Sequence, residues 1–568
     1  MSESIKDISI ILSGAAGMGI ATVEQVLLRV FKLSGLNVFA TREYMSRIRG
    51  GNNSTEIRVS SIDRVNAFVD RIDVLVLLNE GSFTRLKNRV TSKTIIVGEP
   101  EFIEDECRVC DNILDIPFAQ LAMEAGGKIF TSIVAAGFII GLLKINLDSL
   151  KQYLSQRFSA KGEDIVRKNL VAAEIGYNKG LNHANEVAFE LQSRPSVKNE
   201  LLINGTEIVS MGAIAGGCNF ISAYPMSPST GVLTFLSQQS RNFGIIVDQA
   251  EDEIAGINKA IGAWYAGGRA LANTSGGGFA LMEEALSLSV ALETPLVVHI
   301  AQRPGPATGM PTRTEQGDLE LALYAGHGEF PRVIYAPGTL EDGFYLMQNA
   351  FNLADKYQIP VFLLTDQYFM NTFYNLPNLD LSGVKIEKCV VKTDKTYERY
   401  QFTENGVSPR GIPGYGAGIV KVDSHEHTED GHLTEDPIIR TKMVEKRLRK
   451  LESITKETIP PEFYGDDEYT HLIIGWGSTY HIIEEALNEI KDEKIAFLYF
   501  KQVYPLHSST KQYLEKAEKT IIIENNATSQ FGKLIKLHTG IDIDRRILKF
   551  SGFPFSVEEL ITKLKEFL

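Results

Sequence analysis

The chain is 568 residues long, 44% hydrophobic and 23% charged, with a formal net charge of −13. Such a length predicts several domains rather than one core, and the acidic balance argues against nucleic-acid binding through a basic surface. Four cysteines (Cys107, Cys110, Cys218 and Cys389) are too few for a disulfide scaffold and fit a reducing, cytoplasmic setting. Cys107 and Cys110 form the one close pair. With no second pair and no flanking histidine they cannot complete a four-ligand zinc or iron–sulfur site, and they read as structural.

In chain order, residues 1–7 are polar and acidic, without the basic-then-apolar layout of a signal peptide. The predicted strand at 8–12 leads into the glycine loop Gly14-Ala15-Ala16-Gly17-Met18-Gly19, a helix over 21–33 and a strand at 37–40. This βαβ start places backbone N–H groups at a helix N-terminus, where phosphate binds readily. The glycine spacing is not the dinucleotide fingerprint, and Arg42 stands where a ribose-binding acid is expected. Arg47, Arg49, Gly50 and Gly51 form a basic turn, readable as an anion contact or as a solvated loop. The most apolar run, 129–143, contains Thr131 and Ser132 and is shorter than the about 20 residues that span a bilayer, so a buried core helix and no membrane association are expected. The first domain is placed at 1–185, and the polar stretch 186–200, with Pro195, is a linker.

A second α/β domain is expected over 201–375, with strands at 207–210, 245–247, 270–272, 296–300 and 361–364. Helical patterns lie between them, which predicts a parallel sheet with crossover helices. Four features fall at strand ends. The first is Tyr224-Pro225-Met226-Ser227-Pro228-Ser229, where two prolines hold the backbone out of helix and display a hydroxyl just before a helical pattern. Next comes Glu251-Asp252-Glu253, three acids at a helix start, where negative charge is favoured. Ser275-Gly276-Gly277-Gly278 follows, a junction at which a ligand can approach the backbone. Last is the rigid loop from Arg303-Pro304-Gly305-Pro306 to Thr312, which carries an arginine. Singly they read as a cap, a turn and surface loops. In one parallel-sheet domain they point to a site at the carboxyl edge.

These segments resemble the α subunit of the 2-oxoacid:ferredoxin oxidoreductases. Tyr224 to Ser229 is similar to that family's Tyr-Pro-Ile-Thr-Pro-Ser motif. The run Ala250-Glu251-Asp252-Glu253-Ile254 and the stretch from Arg303 through Thr312-Arg313-Thr314-Glu315-Gln316-Gly317-Asp318 resemble the same subunit, and 1–185 resembles a γ domain fused ahead of it. Ser227 stands where the family usually has threonine, keeping the hydroxyl and losing the methyl. The resemblance implies three α/β domains: a Rossmann-like γ domain, a pyrimidine-binding thiamine diphosphate domain, and a transketolase C-terminal-like domain at 466–568 after a polar inter-domain region at 376–465.

The implied activity is thiamine-dependent oxidative decarboxylation of a 2-oxoacid, 2-oxoglutarate favoured, to acyl-coenzyme A and CO2 with reduction of ferredoxin. Glu253 resembles the glutamate on the aminopyrimidine ring, with Glu251 as the fallback. Arg303 would hold the substrate carboxylate. Ser227 and Thr312 would donate to substrate oxygens, and Tyr224, Ser275 and Gly276 would line the cofactor. No Gly-Asp-Gly with a downstream Asn-Asn partner is present, since Asn525-Asn526 has no such segment upstream. Magnesium, the diphosphate contacts and a 4Fe-4S cluster are therefore expected on a β subunit, with ferredoxin reached through it, in an (αβ)2 assembly. His425, His427 and His432 with their acidic neighbours read as a solvated loop rather than a metal site. Gln530 is placed near the site. Two other readings compete: a dinucleotide-dependent dehydrogenase built on 8–60, and a non-catalytic scaffold.

Overall fold

The computed structural model describes residues 7–15, 19–44, 51–103, 112–187 and 189–568. Cys107 and Cys110, Arg47, Arg49 and Gly50, and half of the glycine loop (Ala16, Gly17 and Met18) lie outside them. The chain forms two compact units, one made of 1–204 with 371–378 and 556–558, the other of 205–370 with 379–555 and 559–568.

The first unit carries an eight-stranded sheet. Its spatial order is Ile113–Asp115, Ile95–Gly98, Val74–Leu77, Asp7–Ala15, Asn52–Ser60, Asn37–Glu43, Phe373–Leu376 and Leu201–Asn204. The expected βαβ start is corrected here. Asp7–Ala15 and Asn37–Glu43 each pair antiparallel with Asn52–Ser60, which lies between them. The helix Ile20–Leu33 thus joins two strands that are not neighbours. Arg42, partly exposed, forms an ion pair at 2.7 Å with the buried Glu24. The apolar run folds as the helix Thr131–Leu142, ten of whose residues are buried. It crosses Glu163–His183 at backbone contact: a Cβ on Gly141 would lie 2.1 Å from the Tyr177 carbonyl oxygen, and one on Gly176 2.1 Å from that of Val134. Among the described residues no single helix is long and apolar enough to cross a membrane.

The second unit holds a seven-stranded and a five-stranded sheet. The first runs Gln502–Tyr504, Val333–Tyr335, Pro360–Asp366, Leu296–Gln302, Ala270–Thr274, Phe220–Ala223, Ile246–Gln249, all parallel except the first pair. The strand expected at 207–210 is instead part of the helix Gly205–Ala215. Ile208, Val209, Gly212 and Ala213 recur at helical spacing and are buried. Gly212 lies so close to the helix Leu340–Tyr357 that a Cβ would meet the Phe344 carbonyl oxygen at 2.5 Å. The sheet opens one element later, at Phe220–Ala223. The second sheet runs Glu462–Tyr464, Ile495–Phe500, His471–Trp476, Lys519–Glu524, Arg545–Leu548. Gln316 ties the two layers. Its backbone N–H donates to the Asn525 carbonyl at 2.7 Å, its amide donates to the Trp476 carbonyl at 2.8 Å, and its side-chain oxygen accepts from the Asn525 N–H at 2.9 Å.

Parallel pairing has one consequence for function. The loops after Phe220–Ala223, Ile246–Gln249, Ala270–Thr274 and Leu296–Gln302 leave the same edge of four adjacent strands, which collects all four sequence features at the carboxyl ends.

Candidate active site at the carboxyl edge

The 224–229 loop is held from below. The Ser229 hydroxyl, fully buried, donates to the Met226 carbonyl at 2.7 Å, and the Asn273 amide donates to the Ser229 carbonyl at 3.1 Å. Tyr224 and Ser227 remain exposed at the rim. The Ser227–Pro228 peptide is cis. Arg303, only 9% exposed, donates from Nη1 to the Ser227 carbonyl at 2.7 Å, so the guanidinium fixes this loop by its backbone and leaves the serine hydroxyl free of that contact.

Glu253 begins the helix Glu253–Tyr265, which is capped by Asp252 accepting from the Ala255 N–H at 2.7 Å. The cap takes the exposed role, and the next side chain turns inward. Glu253 is 3% exposed and its Oε1 is buried without a hydrogen-bond partner. Glu251, the fallback, is exposed. Glu253 reaches beneath the glycine junction, where a Cβ on Gly278 would lie 2.7 Å from its Oε1 and 2.3 Å from Thr274 Oγ1. Ser275 is fully buried, and its hydroxyl also lacks a partner.

Asp318 closes the opposite side of the same junction, and sequence reasoning did not single it out. A Cβ on Gly276 would lie 2.2 Å from its Oδ1 and 2.3 Å from its Oδ2. Oδ2 is buried and unpartnered. Burial, reinforced by the Glu315 carboxylate and opposed by Arg303, pushes the Asp318 carboxyl up to about 7. Burial lowers the pKa of Arg303, an effect Asp318 and Glu253 oppose, and the Arg303 Nε is likewise buried without a partner. Unpartnered polar groups on Glu253, Ser275 and Asp318 thus lie at Gly276-Gly277-Gly278, and a fourth, on Arg303, follows the adjacent strand Leu296–Gln302. A buried polar atom without a partner costs about 1–3 kcal/mol, so their concentration at one strand edge marks a place built for a ligand. The only hint of Asp318 in the sequence was its position inside the long motif that begins at Arg303.

Other expected residues are placed differently. Thr312 is half-buried, and among the described residues no hydrogen bond joins its hydroxyl to Arg303 or Ser227. Gln530 donates to the Gly317 carbonyl at 2.8 Å and accepts from the Glu320 N–H at 2.9 Å, supporting the motif loop from outside. Asn526 commits its amide to the Gln316 carbonyl and Glu524. The histidine loop departs from its solvated reading. His427 is fully buried and stacks on Tyr400 at 3.6 Å between ring centroids, with Nδ1 on the His425 carbonyl, because the loop folds back onto the helix Pro437–Lys456. His425 and His432 do face solvent, beside Asp423 and Asp430.

The donor set suits thiamine diphosphate. A buried carboxylate oxygen at a helix start offers an acceptor to a ring nitrogen, Ser275 offers a free hydroxyl, and the glycines let Glu253 and Asp318 lie directly against the backbone. Comparison with known proteins agrees. Residues 211–446 match the family described as "Pyruvate flavodoxin/ferredoxin oxidoreductase, thiamine diP-bdg", and residues 9–179 match "Pyruvate ferredoxin/flavodoxin oxidoreductase". Fold and site thereby define a subunit of a thiamine-dependent oxidoreductase.

The particular family follows from full-length relatives. The chain is 31% identical to the 2-oxoacid:ferredoxin oxidoreductase subunit alpha of Sulfolobus sp, across 97% of this chain and 96% of the relative. It is 26% identical to the 2-oxoglutarate oxidoreductase subunit KorA of Mycobacterium tuberculosis, across 98% and 91%. Its fold superposes with a TM-score of 0.92 on the 2-oxoglutarate:ferredoxin oxidoreductase from Magnetococcus marinus with 2-oxoglutarate, coenzyme A and succinyl-CoA bound, at 30% identity over 99% of each chain. The chain belongs to the α subunits of the 2-oxoacid:ferredoxin oxidoreductases, and the dehydrogenase and scaffold readings give way to that membership.

Proposed function

We propose that this chain supplies the half of the active site that holds the thiamine ring and the substrate carboxylate, and that a β subunit supplies the rest. The observation that carries this reading is the set of unpartnered buried groups around Gly276-Gly277-Gly278. Thiamine diphosphate, when bound, supplies the electron sink for decarboxylating a 2-oxoacid. Glu253 would accept a ring N–H at Oε1 and hold a proton there, a role suited to a carboxylate kept from water. Ser275, Gly276 and Tyr224 would flank the ring. Arg303 would orient the substrate carboxylate with the guanidinium edge not engaged by the Ser227 carbonyl. The Ser227 hydroxyl, and Thr312 on the facing loop, would donate to substrate oxygens.

The β subunit would bring magnesium, the diphosphate contacts and the 4Fe-4S cluster, pass electrons to ferredoxin, and complete an (αβ)2 assembly in the cytoplasm. Coenzyme A would take the acyl group. Among 2-oxoacids, 2-oxoglutarate is favoured by the likeness to the Magnetococcus marinus enzyme and the KorA subunits. The domain limits follow the same assignment: γ domain 1–185, linker 186–200, pyrimidine domain 201–375, polar region 376–465 and C-terminal domain 466–568. The test is anaerobic co-purification with the partner subunit, then assay of a 2-oxoacid panel with coenzyme A and a low-potential dye. Turnover should require both subunits. Dye reduction by the pure chain without its partner would refute the half-site reading.

A further inference from the structure

Beneath the 224–229 loop a chain of hydrogen bonds crosses three neighbouring strands. His299 on Leu296–Gln302 lies opposite Asn273 on Ala270–Thr274 in the parallel register, so the two side chains share one face of the sheet. Thr365, on the other flanking strand Pro360–Asp366, stands two residues beyond the position paired with His299 and falls on that face as well. His299 Nδ1 is 2.7 Å from Asn273 Oδ1, and Nε2 is 2.8 Å from the Thr365 hydroxyl. Asn273 continues the chain to the Ser229 carbonyl at 3.1 Å. None of the four residues is more than 2% exposed.

The direction of every bond in this chain follows from its last member. A carbonyl oxygen only accepts, so the Asn273 amide turns its NH2 to Ser229 and its oxygen to His299. Turned over, the amide would set two acceptor oxygens against each other in a buried place. His299 therefore carries its proton on Nδ1. Buried between uncharged partners, the ring is neutral, so Nε2 accepts and the Thr365 hydroxyl donates.

What the chain holds is one foot of a short arch. The Ser229 hydroxyl reaches back to the Met226 carbonyl at 2.7 Å, which leaves Ser227 and Pro228 as the span, and Arg303 takes the Ser227 carbonyl at 2.7 Å. The Ser229 carbonyl also accepts from the Val232 N–H at 3.0 Å. That bond ties the foot to the helix that follows, and Asn273 alone ties it to the sheet among the described residues.

We infer that His299 is a positioning residue for the 2-oxoacid: by fixing the Asn273 amide it anchors the arch on which the Ser227 hydroxyl meets a substrate oxygen, while itself touching neither substrate nor thiamine. This rests on the proposed role of Ser227. Without a donor at Nδ1, Asn273 is free to turn, and the arch loses its tie to the sheet. The serine hydroxyl then keeps its chemistry and loses its place, which weakens contacts to the substrate.

The reconstituted complex is assayed with 2-oxoglutarate, separating KM from kcat. Asn273→Leu removes the donor to Ser229, and His299→Leu removes the donor that orients Asn273. Each should raise the 2-oxoacid KM about 10-fold, the worth of one buried hydrogen bond. The kcat and the coenzyme A KM should change by less than about 2-fold, because only substrate placement is lost. His299→Asn, whose amide N–H can stand where Nδ1–H stands, should return KM to within about 3-fold of the unaltered enzyme. Thr365→Val, nearly isosteric, carries the test from the far end of the chain if the leucine variants fold poorly, with a KM rise of about 3-fold. The deciding measurement is a double variant. With Ser227→Ala in place, Asn273→Leu or Thr365→Val should add nothing to KM, since the hydroxyl being positioned is gone. A KM unmoved by these changes, or raised by the same factor in the Ser227→Ala background, overturns the inference while leaving the function standing. A Ser227→Ala enzyme with an unaltered KM overturns the proposed role of Ser227 and this inference with it.

Discussion

Two buried polar clusters in the second unit show how differently charge can be used in one fold. Arg269, Asp355 and Arg410 form the first. Each Asp355 oxygen takes an arginine, and Arg269 engages all three of its nitrogens, on the Gly216 carbonyl, Asp355 with the Glu387 carbonyl, and Asn352. Trp264 lies within cation–π distance of both arginines. The second cluster is the carboxyl-edge site, where Glu253, Ser275, Arg303 and Asp318 each keep a buried atom without a partner. Ion-paired charge at the amino ends of the strands, where Arg269 immediately precedes Ala270–Thr274, is structural although the Arg410 Nε lacks a partner, and charge without an ion pair at the carboxyl ends is held ready for a ligand.

The largest expected effect breaks the paired cluster. Asp355→Ala leaves two arginines buried without their carboxylate and should cost about 3–5 kcal/mol, read by denaturant unfolding. The matching change in the open cluster should do the reverse. Glu253→Gln should alter folding stability by less than about 1 kcal/mol and lower turnover of the complex by at least about 100-fold; a stability loss equal to that of Asp355→Ala would erase the contrast. Arg303→Ala should act chiefly on binding, raising the 2-oxoacid KM by about 10- to 100-fold, the worth of one charge-assisted contact.

The smallest effect concerns a paired group directly beneath the site. His299 is fully buried, with Nδ1 on Asn273 at 2.7 Å and Nε2 on Thr365 at 2.8 Å, and burial lowers its pKa to about 3. It is neutral in the fold, so its contribution is present above the unfolded value of about 6.5 and is lost as pH falls toward 3. The stability gap between the unaltered chain and His299→Gln should shrink by about 1.4 kcal/mol per pH unit between pH 6 and 4. A gap that stays constant over that range would mean His299 is not held neutral.

Much of the site was legible locally. Prolines at 225 and 228, the acids at 251–253, the glycines at 276–278 and the arginine at 303 each announce a strand end or helix start through their own backbone chemistry. Glu253 was separable from Glu251 only in part, because which of two acids faces inward depends on where the helix begins, and Asp252 sets that by capping it. Asp318 escaped notice since nothing in an Asp after a glycine tells that a second glycine loop, some forty residues earlier, will press against it. The helix Gly205–Ala215 was misread as a strand because a short apolar run has no decisive period.

By itself the sequence determined the α/β class, the motif loops and the family, since these rest on local propensity and on residue types whose chemistry travels with them. Only the tertiary structure decided strand order, the pairing of Arg42 with Glu24, and the meeting of Glu253 and Asp318 around one glycine junction. Those facts come from packing between elements distant in the chain, and a polar atom shows itself to be without a partner only when every neighbour is in place.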